Sequence, residues 1–284
     1  MVGSMNQNRT TARAIHVVSV GHVVFAGTII AFGIMGLAKG KFTQIWLPVP
    51  KWVPAQTALT YLCAAISFGC GIGLLWRSAA AIASRILLMS FLVWLLVLRL
   101  PYLFIQSPLV LVAWSCGSTA LMVSASWVLY VWLAGERDSD RFAFVAGDNG
   151  LRIARTLYGL SLIPFGLAHF MYLKQTTVLI PGWLPWHVGW AYFTGATFIA
   201  AGVAMIIGVW ARLAAALSAL QMGLFLLIVW IPFMWVGGLS DFQWGEVAAN
   251  CALLAAAWVV ADSYRELPWL GVSKWRALAP ARVN

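Results

Sequence analysis

The chain has 284 residues, 62% of them hydrophobic and only 9% charged, with a formal net charge of +10. A soluble globular chain carries about 25% charged residues, so eighteen basic and eight acidic side chains cannot coat a water-soluble body of this length. The values exclude a soluble domain, an intrinsically disordered chain and a secreted disulfide scaffold, and they predict a polytopic membrane protein.

A helix needs roughly 20 mostly apolar residues to cross the hydrocarbon core. In chain order, eight such stretches lie near 15–37, 57–76, 80–104, 107–134, 154–173, 187–209, 212–236 and 244–262. Uninterrupted runs of this length exclude a transmembrane barrel, whose strands alternate over about ten residues. Residues 1–14 are polar and basic, like the opening of a signal peptide. The apolar run that follows is too long for an h-region and ends in no clear small-residue cleavage site, so it reads as a retained first span. The fourth span ends in Trp127, Tyr130 and Trp132, which fits interfacial anchoring. Residues 135–153 are the only long polar interruption and divide the chain into 1–134, a linker, and 154–284.

Orientation follows from the basic residues. With both termini cytoplasmic, the inner side holds thirteen Lys and Arg, including Arg77, Arg85, Arg152, Arg155 and Arg212. The outer side holds five: Lys39, Lys41, Lys51, Arg99 and Lys174. The positive charge is then a topology signal and an attraction to anionic lipid headgroups. No basic face on a soluble domain is visible, so nucleic acid is not expected as a partner.

The two halves read as copies. Phe32-Gly33, Pro50-Lys51-Trp52-Val53-Pro54, Trp76-Arg77 and Leu100-Pro101-Tyr102 recur as Phe165-Gly166, Pro181-Gly182-Trp183-Leu184-Pro185, Trp210-Ala211-Arg212 and Ile231-Pro232-Phe233, at offsets of 131 to 135 residues. Four spans per copy is an even number, so the copies share one orientation and form two parallel-repeat four-helix bundles. The Pro-x-Trp-x-Pro segments cannot be regular helix throughout and are expected to dip into the interface and pack on the bundle. Pro101 and Pro232 should kink or end their helices.

The run Gly159-Leu160-Ser161-Leu162-Ile163-Pro164-Phe165-Gly166-Leu167-Ala168-His169-Phe170, followed by Pro181-Gly182-Trp183-Leu184-Pro185 and then Gly195 and Gly202, resembles the DoxX-like family of bacterial membrane proteins. The resemblance covers about residues 155–262, with a degenerate copy before it. It implies a four-helix unit in the bacterial cytoplasmic membrane. Some relatives are membrane subunits of thiosulfate:quinone oxidoreductase and others belong to thiol-redox assemblies, while most have no assigned activity. Quinone is the cofactor this implies.

An ionisable group within a span is a functional candidate, because a charge near the bilayer centre costs on the order of 3 kcal/mol. His169 and Glu246 fall at similar depth near the outer ends of their spans, and Asn250 shares a helix face with Glu246. In the repeat register His169 aligns with Gly36 and Glu246 with Cys116, so the pair exists in one copy only. One reading makes His169 and Glu246 the catalytic residues of a quinone site, because quinone reduction takes up protons that a histidine or carboxyl can relay. Trp183, Trp190 and Tyr192 would wall the ring, with His187 and Arg99 completing the site. The other reading makes the pair interfacial residues that hold the Pro-Gly-Trp-Leu-Pro segment by hydrogen bonds to its backbone. Arg99 either snorkels outward or pairs with Glu246, and Gln221 bridges helices.

Cys63, Cys70, Cys116 and Cys251 contain no C-x-x-C pair, and Cys63 and Cys70 stand about 10 Å apart along a helix, too far for a disulfide. No zinc signature, Walker loop, dinucleotide fingerprint or nucleophile elbow occurs. Three functions remain. The first is a quinone-binding membrane subunit of a redox system, which needs a protein partner. The second is a non-catalytic scaffold or assembly partner, with a protein partner or a homo-oligomer. The third is a permease, disfavoured by the scarcity of mid-depth charge.

Overall fold

All regular secondary structure among the described residues is helical, apart from one isolated bridge between Val209 and Val272. The computed structural model describes residues 17–105, 109–134, 143–237 and 240–272; the basic N-terminus, most of the polar linker and the C-terminal tail lie outside them. The helices are α1 (Val20–Lys39), α2 (Gln56–Leu75), α3 (Ala80–Trp94), α4 (Tyr102–Ile105), α5 (Leu109–Leu133), α6 (Ala143–Ala146), α7 (Asp148–Met171), α8 (Leu173–Leu179), α9 (His187–Ile207), α10 (Ala211–Leu224), α11 (Ile231–Val236) and α12 (Asp241–Asp262). Seven helical stretches are long and apolar enough to cross a membrane, and α7 with α8 makes an eighth if that pair, bent by 92°, is one span. The chain is thus an all-α helical bundle of membrane type.

The helix ends have identifiable causes. Ser19 caps α1 by accepting from the His22 amide at 3.1 Å, and Gly40 closes it in the left-handed region at φ 59°, where a side chain would be strained. At α12, Ser240 and Gln243 form a reciprocal capping box. α7 begins at Asp148, six residues before the expected span, with an acidic side chain in its first turn where the helix dipole favours it.

The prolines of the third and seventh spans act differently from a simple kink. Leu95–Arg99 and Phe225–Trp230 are π-helical, just ahead of Pro101 and Pro232. A proline ring clashes with the carbonyl four residues back and lacks an N–H. Widening the preceding turn lets Leu100 bond to Leu95 and Ile231 to Leu226, five residues back, so the backbone stays paired.

Helices sequential along the chain pack side by side, from α1 through α2, α3, α5, α7, α9 and α10 to α12, and α12 returns to α1. α5 also packs on α12 across the middle. The fourth long helix of each half therefore leans on the first long helix of the other half. α5 is the most enclosed, with 72% of its span buried, against 28% for α9 and for the α10–α11 stretch. Glycines set the closest approaches. A Cβ on Gly166 would meet the Gly195 carbonyl at 2.4 Å, and one on Gly202 would meet the Gly159 carbonyl at 2.5 Å, so α7 and α9 touch backbone to backbone at two levels.

The end of the bundle opposite His169 is locked by polar contacts. Arg155 donates to the hydroxyl of Ser263 at 3.0 Å and to its carbonyl, with its guanidinium 4.2 Å from the Tyr264 ring. Burial pushes the Tyr264 phenol up to about 12, with Arg155 pulling the other way. Arg212 donates to Leu267 O at 2.6 Å and stacks on Trp269. His22 is fully buried, with Nδ1 accepting from Val18 N–H at 3.3 Å and Nε2 facing Leu74 O at 3.1 Å. Both ring nitrogens are thus engaged by backbone.

Candidate functional site

A cavity of about 1030 Å³ extends from the His169 end along the bundle to Trp210 and Leu213, bounded by α5, α7, α8, α9, α10 and α12, together with the loop at Gln44–Pro48. The capping box fixes where α12 starts, and the four-residue spacing then turns Glu246 and Asn250 to the same side, where both line the cavity. His169 faces it from α7 two residues before that helix ends. His169, Glu246 and Asn250 thus all line this one cavity.

Their hydrogen bonding differs from that of the rest of the interior. His169 Nδ1 lies 2.8 Å from Phe165 O. A carbonyl can only accept, so Nδ1 carries the proton. The ring is gripped by Phe198 at 5.6 Å and Phe225 at 6.0 Å between centroids. Among the described residues no ion pair joins His169 to Glu246. Asn250 is 8% exposed and its Oδ1 has no partner; the hydroxyl of Ser115, across on α5, has none either. Native interiors leave few such atoms unpaired, because each costs about 1–3 kcal/mol. Of the three such oxygens among the described residues, two belong to side chains that line the cavity and the third to Ser126.

Apolar and aromatic side chains make up most of the rest of the wall, among them Phe165, Phe198, Phe225 and Trp230. The lining runs along α10 and the π-helical turn after it, from Leu213 to Trp230, seventeen residues or about 25 Å. Midway, Thr197 Oγ1 donates to Gln221 Oε1 at 2.7 Å and Gln221 Nε2 donates to Thr194 O at 3.1 Å, tying α10 to α9 as expected of Gln221.

Other sequence candidates sit elsewhere. Trp190 lines the cavity, but Trp183, His187 and Tyr192 do not. Trp183 is 73% exposed, and Tyr192 leans on Phe170 at 5.6 Å. Neither tryptophan of the two Pro-x-Trp-x-Pro segments packs inward, since Trp52 is 63% exposed. Left-handed residues follow both segments, Ala55 at φ 51° and Trp186 at φ 58°, and each starts the next helix.

Arg99 neither snorkels nor meets Glu246. It is 3% exposed and donates to the carbonyls of Trp46, Leu47 and Pro48 and to Thr119 Oγ1. It therefore stands behind the cavity wall and holds the loop that forms part of it. Three carbonyl dipoles replace the missing carboxylate.

Sequence reasoning missed Gln44, Ser115 and Thr119. Gln44 reaches the site from the first half, packed so closely that a Cβ on Gly245 would meet its Nε2 at 2.2 Å. The one available signal was the four-residue spacing of Ser115 and Thr119, which puts both on one face of α5.

No family model, curated protein or solved structure matches this chain.

Proposed function

We propose that the chain is an integral membrane protein that holds a lipophilic, quinone-type ligand in the cavity beside His169 and Glu246, as a membrane subunit of a redox system. The single observation that carries this is the cavity itself. It has the size of a ligand site, apolar and aromatic walls, and a few polar side chains among its lining, His169, Glu246 and Asn250 included. Aromatic side chains beside His169 would hold a quinone ring, and the lining from Leu213 to Trp230, about 25 Å long, would leave room for a tail.

A quinone would supply two-electron, two-proton chemistry. The chain's part is proton handling and orientation. His169, with its Nδ1 proton held by Phe165 O, offers Nε2 at the cavity, and Glu246 offers a carboxyl one helix away. Electrons would come from a partner protein, since the sequence carries no metal signature or flavin fold.

The wider assignment belongs to the same proposal: a DoxX-like protein of two parallel four-helix copies in the bacterial inner membrane, with both termini cytoplasmic and the His169 end outside. It is supported by the motif order and the excess of basic residues on one side. Paired structural devices support it too, since the π-turns begin at Leu95 and Phe225 and the left-handed starts fall at Ala55 and Trp186, with shifts of 130 and 131 residues.

Mass spectrometry of the organic extract from detergent-purified protein tests the function. The wild type should retain a quinone stoichiometrically, and His169→Ala and Glu246→Gln variants of equal thermal stability should lose it. No retained lipophile, or equal retention by the variants, would refute the site and favour the scaffold reading.

A further inference from the structure

Resting on the reading of the cavity as a lipophilic-ligand site, and going beyond the quinone, we infer that it also binds cationic amphiphiles: a single ammonium head on an apolar tail, with Glu246 as its counter-ion.

The lining discriminates by charge rather than by hydrogen-bond polarity. Gln44, Tyr172, Gln175 and Asn250 line the chamber with groups that both donate and accept, so they serve a carbonyl or a hydroxyl alike. Among the described residues the lining holds one carboxyl, Glu246, and no Lys or Arg. A carboxylate in an apolar wall is costly until a cation meets it, and among the described residues no ion pair reaches Glu246. The nearest basic side chains stand outside the lining. Arg99 is spent on the carbonyls of Trp46, Leu47 and Pro48 and on Thr119, and Arg212 on Leu267 O and the Trp269 ring. Lys174 begins the same short helix as Gln175 but does not line the chamber. His169 adds no charge while its ring is neutral.

Aromatic faces supply the second half of the site. Trp114, Phe165, Phe198 and Phe225 form a belt in the lining, with successive ring centroids 6.3, 6.1 and 6.1 Å apart. A ring face attracts a cation within about 6 Å of its centroid, most strongly where water is excluded. The helix that carries Glu246, α12, packs on the π-helical turn that carries Phe225 and Trp230, so carboxyl and rings come from neighbouring elements. An anionic head would instead meet a carboxyl and the negative faces of these rings, with no base in the lining to pair it. The phosphates of ordinary membrane lipids are disfavoured for the same reason.

Calorimetric titration of the full-length protein in nonionic detergent tests this at about pH 8, where an ordinary histidine is neutral. The probes share one tail: decyltrimethylammonium, decanol and decyl sulfate, with decyl-quinone as reference. The net charge of +10 favours the sulfate over the surface at large, so a preference for the ammonium can come only from the chamber. The ammonium should bind at least about tenfold tighter than the sulfate and several-fold tighter than decanol. In a Glu246→Gln variant of equal thermal stability, its affinity should fall to that of the alcohol. Sulfate bound as tightly as the ammonium overturns the inference, and so does an ammonium preference that survives Glu246→Gln. If decyl-quinone binds and the ammonium does not, the inference fails alone. If the ammonium binds in the expected order and decyl-quinone does not, the quinone reading fails and the inference stands. If no probe binds, both fall.

Discussion

The two halves of the molecule solve the same packing problem in opposite ways. In the first half Trp46 fills the interior at the His169 end. It is 2% exposed, stacks on Phe91 at 4.7 Å, meets Trp94 edge-on at 4.9 Å and donates to Ser67 Oγ at 3.1 Å. Arg99 then clamps the carbonyls of the loop that carries Trp46. Shifting Ser67, Phe91, Trp94 and Arg99 by 131 residues gives Phe198, Met222, Phe225 and Trp230, and all four line the cavity. The same shift of Trp46 gives Thr177, on the short helix α8. One half thus carries a tryptophan plug and the other a chamber of similar wall positions without it. The first half is plugged there, whereas the second half leaves a hollow that it shares with α5 and the Gln44–Pro48 loop.

The largest effect should come from pulling the plug. Trp46→Ala removes a fully enclosed aromatic side chain and leaves Ser67 and the Arg99 loop without their anchor. It should lower stability by about 3–5 kcal/mol, read as a large fall in thermal midpoint. An effect below about 1 kcal/mol would mean that the first half collapses freely and that the contrast between the halves is overstated.

A smaller effect of interesting sign is expected at Asn250. Asn250→Leu replaces an amide with an orphaned carbonyl by an apolar group of similar size. It should stabilise the ligand-free protein by about 1 kcal/mol while weakening retention of the lipophile. Loss of stability instead would show that the amide has a structural partner and is not held ready for a ligand.

The smallest effect should come from installing a plug. Leu179 lines the chamber from α8, so Leu179→Trp brings an indole to the hollow half. Stability should change by less than about 1 kcal/mol, because space is already present, while ligand retention drops. Full retention in a folded Leu179→Trp variant would place the ligand deeper along α10.

The bundle class was legible because each span is a long apolar run, whereas the helix starts set by Ser19 and by the Ser240–Gln243 box were not read from the sequence. His169, Glu246 and Asn250 were singled out because polar groups in such runs are rare, and for His169 and Glu246 because the repeat register put them in one copy only. Arg99 was not legible. A sequence shows that a cation lacks a carboxylate nearby, but not that three consecutive carbonyls of a distant loop converge on it. The contribution of Gln44 was hidden for the same reason, since it depends on how the halves lean on each other. Trp183 and Tyr192 misled because an aromatic side chain at the end of a span reads alike whether it faces a chamber or lipid.

The reciprocal glycines of α7 and α9 carry a consequence for traffic. Gly166 against Gly195 and Gly159 against Gly202 leave no room between these helices at two levels, so that seam is shut there. On the far side of α9, the seam with α10 is spanned at mid-depth by the Gln221 bonds to Thr194 and Thr197, in the least enclosed part of the bundle. A greasy molecule reaching the chamber would come sideways through that clasp from among the acyl chains. Its effective supply is then its mole fraction in the lipid, and occupancy should follow that quantity rather than concentration in the surrounding water.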